Sequence, residues 1–291
     1  MKNRSIQHVI YAGLYDMGGL PVRQPIPSPG IEQVDPFLLL HHADIKAPTL
    51  VPPHQAGVGP HPHRGFAPVT FVFKGGVHHR DSRGNNSTIY EGGTQWMHAG
   101  MGIIHSERPP ADIHDRGGRQ EIIQLWINMP AKNKMDQPSY FPLTAEQTPH
   151  FSTDDGLVNI NVIAGDLQQI KGPVPTLSPI NAFTAEMKAG GKYFFPIPED
   201  HNAFVYLLDG QLNINGARNV DGKHAVIFNN DGEGFLLEAL KDTRILIGTG
   251  KPLEEPVASH GPFVMNNETQ ILEAFRDYQM GKMGILIEEN N

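Results

Sequence analysis

The stretch VTFVFKGGVHH at residues 69–79 decides the fold class, because apolar and polar residues alternate along it and two glycines interrupt it. Alternation with a period of two is typical of a half-buried β-strand, and the Gly75–Gly76 pair is typical of a hairpin turn. Similar short segments recur at residues 121–129, 157–165, 203–216 and 243–250. The sequence therefore predicts an all-β protein.

The two halves of the chain resemble each other in pattern. When the sequence is shifted by 135 residues, VTFVFKGG lies over FVYLLDGQ, and Gly75 falls on Gly210. A repeat of strand pattern and turn together favours two similar β-barrels or sandwiches in tandem. We expect an N-terminal domain at residues 1–130, a proline-rich linker or crossover at 131–156, and a C-terminal domain at 157–291.

One helix is expected, at the end of the C-terminal domain. Asn266 or Asn267 can cap it, and Gly281 can end it. Between them, apolar residues follow helical spacing at Ile271, Leu272, Phe275 and Tyr278. We therefore predict a short helix at about residues 267–280.

Composition and charge exclude several classes of function. The chain has 291 residues, a net charge of −8 and no run of lysine or arginine, which disfavours direct binding of nucleic acid. It has no cysteine, which excludes disulfides, thiolate zinc sites, iron–sulfur clusters and a cysteine nucleophile. No segment resembles a signal peptide or a membrane span. We expect a monomer in the cytoplasm, or also in the nucleus if the source is eukaryotic.

Four side chains form the strongest candidate site. In GPHPHRGF at residues 59–66, His61 and His63 are two residues apart, so in a strand they point to the same side. Proline between them indicates an edge strand. In GMGIIHSER at residues 100–108, His105 and Glu107 form a second pair of this kind. If the pairs face each other across a barrel, three imidazoles and one carboxylate converge, a set that iron, zinc, manganese, copper and nickel favour.

The other histidines carry weaker signals. His78 and His79 are adjacent, so at most one of them can face the site, and His98 and His114 are expected at the surface. The second half contains no pair of histidines two residues apart, so we expect its domain to lack a metal site. Sequence templates for a serine hydrolase, a P-loop and a zinc protease are missing.

Several motifs together resemble those of the pirin family, whose members are bicupins of the cupin superfamily. They are HPHRGF, HHRDSRGN, QWMHAGMGIIHSE, QLWINMPAKNKM, AGDLQQIKGPV and HGPFVMN, and they extend along nearly the whole chain. The resemblance implies two tandem cupin domains of the jelly-roll type, with one metal in the N-terminal domain. It assigns the ligand positions to His61, His63, His105 and Glu107, and it favours Fe(II) over Zn, Mn, Ni or Cu.

The resemblance leaves two functions open. One is a quercetin 2,3-dioxygenase, an oxidoreductase that opens a flavonol ring with dioxygen, with Glu107 as the catalytic base. The other is a non-catalytic, redox-dependent regulator that binds protein partners such as transcription factors or metabolic enzymes. The expected partner is accordingly a small aromatic flavonol or a protein. In this chain Ala67 and Pro68 replace a polar pair that the family commonly has beside its pocket.

Overall fold

The computed structural model describes residues 1–288, and strands predominate in it. The strands before residue 148 are β1 (Ile6–Tyr11), β2 (Gly13–Met17), β3 (Leu20–Ile26), β4 (Phe37–Lys46), β5 (Val58–His63), β6 (Phe66–Lys74), β7 (Gly76–Asp81), β8 (Asn86–Tyr90), β9 (Thr94–His98), β10 (Ile103–Arg108), β11 (Arg119–Asn128) and β12 (Ser139–Leu143). The later strands are β13 (His150–Ser152), β14 (Val158–Ala164), β15 (Asp166–Leu167), β16 (Ile170–Lys171), β17 (Ile180–Met187), β18 (Lys192–Pro196), β19 (Asn202–Asp209), β20 (Gln211–Ile214), β21 (Arg218–Asp221), β22 (His224–Phe228), β23 (Gly234–Ala239), β24 (Thr243–Gly250), β25 (Ala258–His260) and β26 (Phe263–Met265). The helices are α1 (Ala111–Asp115) and α2 (Glu268–Gln279), with 3-10 turns at Pro53–Gln55 and Ala131–Asn133.

The chain divides into two compact units. The N-terminal unit contains Tyr15–Val22, Leu39–Gln147 and the residues from Glu254 onward. The C-terminal unit contains Met1–Leu14, Arg23–Leu38 and Thr148–Leu253. Each unit therefore includes segments from distant parts of the sequence.

The two units have the same sheet topology. One seven-stranded sheet has the order β12-β9-β6-β11-β4-β3-β2, and the other has β1-β22-β19-β24-β17-β14-β13. The accompanying four-stranded sheets have the orders β5-β10-β7-β8 and β18-β23-β20-β21. Strands at equal positions in the two halves of the sequence pattern, such as β6 and β19, occupy equal positions in the sheet orders, as expected for two domains of the same jelly-roll type. The predicted all-β, two-cupin fold is confirmed.

Two glycines show that the repeat extends to the turns. Gly75 follows β6 with φ +74°, and Gly210 follows β19 with φ +81°. A Cβ atom at Gly75 would lie 2.3 Å from the carbonyl oxygen of Arg119, and one at Gly210 would lie 2.4 Å from that of Asp242. Each glycine joins a strand of a seven-stranded sheet to a strand of a four-stranded sheet, so the hairpin predicted at Gly75–Gly76 is instead a connection between sheets. Both connections need a residue that tolerates positive φ and has no side chain.

The observed division differs from the predicted domain limits at 1–130, 131–156 and 157–291. Strand β1 pairs with β22 of the C-terminal unit, and the stretch expected to be a linker provides β12 and β13. Pro142 in β12 made this stretch resemble a loop, but β12 is an outermost strand, where proline removes no required hydrogen bond. The end of the predicted C-terminal domain, at residues 289–291, lies outside the described residues.

The C-terminal helix is confirmed, and it belongs to the N-terminal unit. The side chain of Asn267 caps α2 by accepting a hydrogen bond from the backbone of Gln270 at 3.0 Å. Ile271 and Ala274 are buried on one face. Asp277 on the same helix forms an ion pair with Arg64 at 3.0 Å, which connects α2 to the segment that follows β5. Neither helix within residues 1–288 is long and apolar enough to cross a membrane.

Two histidines expected at the surface, His98 and His114, are buried, with 6% and 5% exposure. His98 accepts a hydrogen bond from Trp96 Nε1 at 3.0 Å, and its Nδ1 donates to Ser139 Oγ at 3.2 Å. Burial lowers the pKa of His98 to about 4, because the protein interior stabilises the charged imidazolium less well than water does. Neither histidine has a second ligand residue at the spacing of a metal site, which is why the sequence predicts both at the surface. That spacing does not determine whether a side chain is buried.

We expect His98 to destabilise the fold as the pH falls from 6.5 towards 4. The unfolded chain binds the proton near its ordinary pKa of 6.5, whereas folded His98 has a pKa of about 4, so its contribution is complete above pH 6.5 and is lost as the pH falls. The whole shift corresponds to roughly 3 kcal/mol. The free energy of unfolding, measured with urea between pH 7 and pH 4, should fall less steeply with decreasing pH in His98→Gln than in the wild type. The exposed His150→Gln serves as control. The same pH dependence in His98→Gln and the wild type would contradict the role of His98.

Candidate metal centre

The first pair of predicted ligands lies on an edge strand. Strand β5 is outermost in its four-stranded sheet, which explains why Pro60 and Pro62 are tolerated in it. Gly65, which lies after Arg64 in the turn between β5 and β6, has φ +85°, and a Cβ atom there would lie 1.9 Å from the carbonyl oxygen of Val264. Both the turn and the close approach of the chain at Val264 therefore require glycine after the histidine motif.

The second pair lies on the neighbouring strand, β10, rather than across a barrel as we expected. His105 is the direct cross-strand partner of His61, and Ile103 is the partner of His63. The register shifts between His105 and Glu107, because Glu107 pairs with Val58. Antiparallel pairing alone thus brings the imidazoles together, since directly opposed residues have Cβ atoms about 5 Å apart.

The three histidines form a compact cluster. Each offers a ring nitrogen within 4.8 Å of the others, and among residues 1–288 this is the group of potential ligands that converges. The Nε2 atoms of His61 and His63 are 3.0 Å apart. His105 Nε2 is buried and has no hydrogen-bond partner among the described residues.

The hydrogen bonds around the cluster show which nitrogen of each ring is free. His61 Nδ1 lies 2.8 Å from the carbonyl oxygen of Gly59, and His63 Nδ1 lies 3.4 Å from that of Pro262. Because a carbonyl oxygen only accepts, each Nδ1 donates a proton and each Nε2 keeps its lone pair. Two facing lone pairs repel unless a cation lies between them. Two nitrogens bound to one ion at about 2.1 Å and at right angles lie about 3.0 Å apart, as these do.

Burial favours the neutral form of two histidines of the cluster, His63 and His105. Desolvation, together with the neighbouring His61, lowers the pKa of His63 well below its ordinary value. Desolvation and the three surrounding imidazoles lower the pKa of His105 in the same direction. Neutral imidazole is the form that binds a metal, so the environment favours coordination. Three nitrogen donors of this kind fit one borderline divalent metal.

Glu107 lies beside the cluster but is not one of its converging members. Its Oε1 accepts a hydrogen bond from Thr70 Oγ1 at 2.7 Å, and its Oε2 accepts one from Gln124 Nε2 at 2.6 Å. Trp126 Nε1 donates to Gln124 Oε1 at 3.0 Å, which orients the amide so that its nitrogen faces Glu107. The roles of Glu107 as fourth ligand and as catalytic base remain predictions.

A cavity of about 430 Å³ opens beside these side chains. His61, His63 and Glu107 provide polar groups at its wall, and aliphatic side chains cover much of the remainder. Its lining residues are Met17, Gly18, Leu20, Val22, His41, Ala43, Ile45, Gly57, Val58, Gly59, His61, His63, Val77, Glu107, Gln120, Ile122, Gln124, Trp126, Gly261 and Pro262. The volume falls in the range of small-molecule sites.

The sequence did not reveal all the residues around the cluster. Thr70 and Gln124 are ordinary strand residues by pattern, and their contact with Glu107 depends on the register of β6, β10 and β11. Trp126 was expected in the core, but it borders the cavity, with its ring centroid 5.5 Å from that of His63. Alternation along β11 could have indicated that Gln124 and Trp126 share one face.

The C-terminal unit has no corresponding cluster among the described residues. In the strands that correspond to β5 and β10, Phe195 lies opposite Phe235. Phe235 also stacks on Phe228 with ring centroids 4.2 Å apart. Hydrocarbon therefore fills the interior that histidines occupy in the N-terminal unit.

Comparison with known proteins agrees with this architecture. Residues 19–127 match the Pirin family model, and residues 182–284 match the model of the pirin C-terminal cupin domain. A pirin-like protein of Solanum lycopersicum is 36% identical over 270 residues, which cover 91% of this chain and 88% of that protein.

Solved structures show the same fold. The crystal structure of a quercetin 2,3-dioxygenase from Acinetobacter baumannii has a TM-score of 0.91 and 35% identity, covering 98% of this chain and 100% of that one. A bacterial pirin from Escherichia coli in complex with nickel(II) is similar in fold, with a TM-score of 0.67, 19% identity and coverage of 84% and 99%. This chain belongs to the pirin family of two-domain cupin proteins.

Proposed function

We propose that this chain is a metal-dependent quercetin 2,3-dioxygenase, which consumes one dioxygen and releases one carbon monoxide for each flavonol ring it opens. The observation that carries the proposal is the cavity of about 430 Å³ with His61, His63 and Glu107 at its wall, where the two histidines belong to the converging cluster that His105 completes. The similarity to the dioxygenase of Acinetobacter baumannii supports the same assignment.

The volume and lining of the cavity suit a small aromatic substrate. Aliphatic side chains such as Leu20, Val22 and Ile122 offer apolar surface, and Trp126 offers an aromatic one. The amides of Gln120 and Gln124 and the ring of His41 add polar groups that can orient ring hydroxyls. Burial of an aromatic ring against these walls also excludes water from the reacting groups.

Glu107 is the proposed general base. Its carboxylate faces the cavity, and the hydrogen bonds from Thr70 and Gln124 engage one lone pair on each oxygen. Each carboxylate oxygen has a second lone pair, so Glu107 can still accept the proton of a flavonol 3-hydroxyl. Thr70 and Gln124 thus orient the base without occupying it.

We propose Fe(II) as the resident ion and His61, His63 and His105 as its nitrogen ligands, with Glu107 as the fourth ligand when it is not acting as base. When bound, such an ion supplies Lewis-acid stabilisation of a substrate oxyanion and electron exchange with dioxygen. The apolar, partly enclosed cavity favours a small molecule over the protein partner of the regulatory alternative.

Metal binding should stabilise the fold through the three histidines. We expect the tag-free protein to bind one equivalent of Fe(II), and a free ion at 100 times its dissociation constant should add about 2.7 kcal/mol to the free energy of unfolding. Elemental analysis and thermal unfolding, with and without a chelator, measure both effects. His61→Ala should lose the metal and the stabilisation, whereas the exposed His150→Gln should keep them. Full metal content in His61→Ala would contradict the assignment.

Turnover of quercetin should require Glu107. We expect the loss of flavonol absorbance in air to be slowed about 10²–10⁴-fold by Glu107→Gln, because the amide cannot accept the hydroxyl proton. Metal content is measured in parallel, so that a loss of metal is distinguished from a loss of base. The exposed Glu199→Gln serves as control. If iron-, manganese- and nickel-loaded protein all leave quercetin unchanged, the proposed function is wrong.

A further inference from the structure

Strand β7, on the side of β10 that faces away from β5, carries two polar side chains, and one of them, His79, contacts His105 directly. His79 and Asp81 are both buried, and neither lines the cavity of about 430 Å³. In the pairing of β7 with β10, Asp81 lies opposite His105 and His79 lies opposite Glu107. Asp81, His79 and His105 thus form a continuous row of hydrogen-bonding groups that ends at the histidine cluster.

The hydrogen bonds of Asp81 determine the direction of this row. Its Oδ1 accepts from the backbone N–H groups of Arg83 and Asn85, at 2.9 and 3.1 Å. Its Oδ2 accepts from Asn85 Nδ2 at 2.7 Å and lies 2.9 Å from His79 Nε2. A carboxylate surrounded by donors can only accept, so His79 Nε2 carries a proton and donates it to Asp81.

The tautomer of His79 then decides that of His105. When Nε2 carries the single ring proton of His79, the lone pair is on Nδ1, and that atom lies 3.4 Å from His105 Nδ1. His105 Nδ1 therefore donates to His79, and the lone pair of His105 is on Nε2. This is the buried atom that has no partner among the described residues.

Packing holds the row in place. The ring of His79 stacks on Tyr140 with centroids 4.0 Å apart and planes 7° apart. The hydroxyl of Tyr140 is in turn 2.7 Å from Ser87 Oγ on β8. The imidazole of His79 is thus fixed between a carboxylate on one side and a metal-ligand histidine on the other.

We propose that Asp81 and His79 are positioning residues that impose the Nδ1-protonated tautomer on His105 and so keep its Nε2 available for the metal. The inference rests on the metal site of the proposed function, but it does not depend on which substrate is turned over. Mutation of a residue that hydrogen-bonds to a metal-ligating histidine typically lowers metal affinity 10–100-fold.

The Asp81→Asn variant tests the direction of the hydrogen bonds from His105 through His79 to residue 81, because asparagine has nearly the same shape as aspartate. The amide that replaces the carboxylate can keep its oxygen on the backbone N–H groups, and its NH2 then faces His79 and reverses both hydrogen bonds. We expect Co(II) affinity, measured by calorimetry at one pH, to fall about 10–100-fold. Two-bond proton–nitrogen NMR of the metal-free protein should show the proton of His105 moved from Nδ1 to Nε2, a change that a merely structural role would not produce.

A second pair of variants keeps the test decisive if Asp81→Asn does not fold. His79→Gln can accept the proton of His105 Nδ1 through its amide oxygen and should retain most of the affinity, whereas His79→Leu should lose it. His78→Gln is the matched control, because His78 is adjacent in sequence and contacts Asn86 instead. Wild-type affinity and an unchanged His105 tautomer in Asp81→Asn, or equal affinities for His79→Gln and His79→Leu, would overturn the inference. Intact metal binding without flavonol turnover would overturn the proposed function alone.

Discussion

The site depends on the antiparallel register of β5 and β10. His61 is directly opposite His105, so the backbone hydrogen bonds between these strands bring two imidazoles together before any metal is bound. A one-residue slip would turn every side chain of one strand to the other face. The register is supported at the end of β5 by Gly65, which allows close contact with Val264, and by the Arg64–Asp277 ion pair.

The residues around the histidine cluster provide hydrogen-bond partners for its polar atoms. Buried imidazoles and a buried carboxylate are costly unless each polar atom has a partner. Carbonyl groups satisfy the Nδ1 atoms of His61 and His63, and Thr70 and Gln124 satisfy Glu107. The free lone pairs that remain belong to ring nitrogens that point at one another, which is an arrangement that a cation stabilises.

Much of the fold could be predicted from the sequence, because it follows from period-two patterns, and the same pattern places His61 and His63 on one face of β5. Alternation predicted the strands, and the coincidence of Gly75 with Gly210 predicted the repeat. The domain limits could not be predicted, because β1 and β12 find their partners far away in the sequence. The contacts of Glu107 with Gln124 and of His105 with His79 depend on strand order and register, which no local pattern contains.

A crystal structure of the metal-loaded protein, with anomalous diffraction data at the absorption edge of the bound metal, tests the three-histidine metal centre. We predict a single anomalous peak in the N-terminal unit, about 2.0–2.2 Å from the Nε2 atoms of His61, His63 and His105. A metal held elsewhere, or held through the Nδ1 atom of any of these histidines, would contradict it.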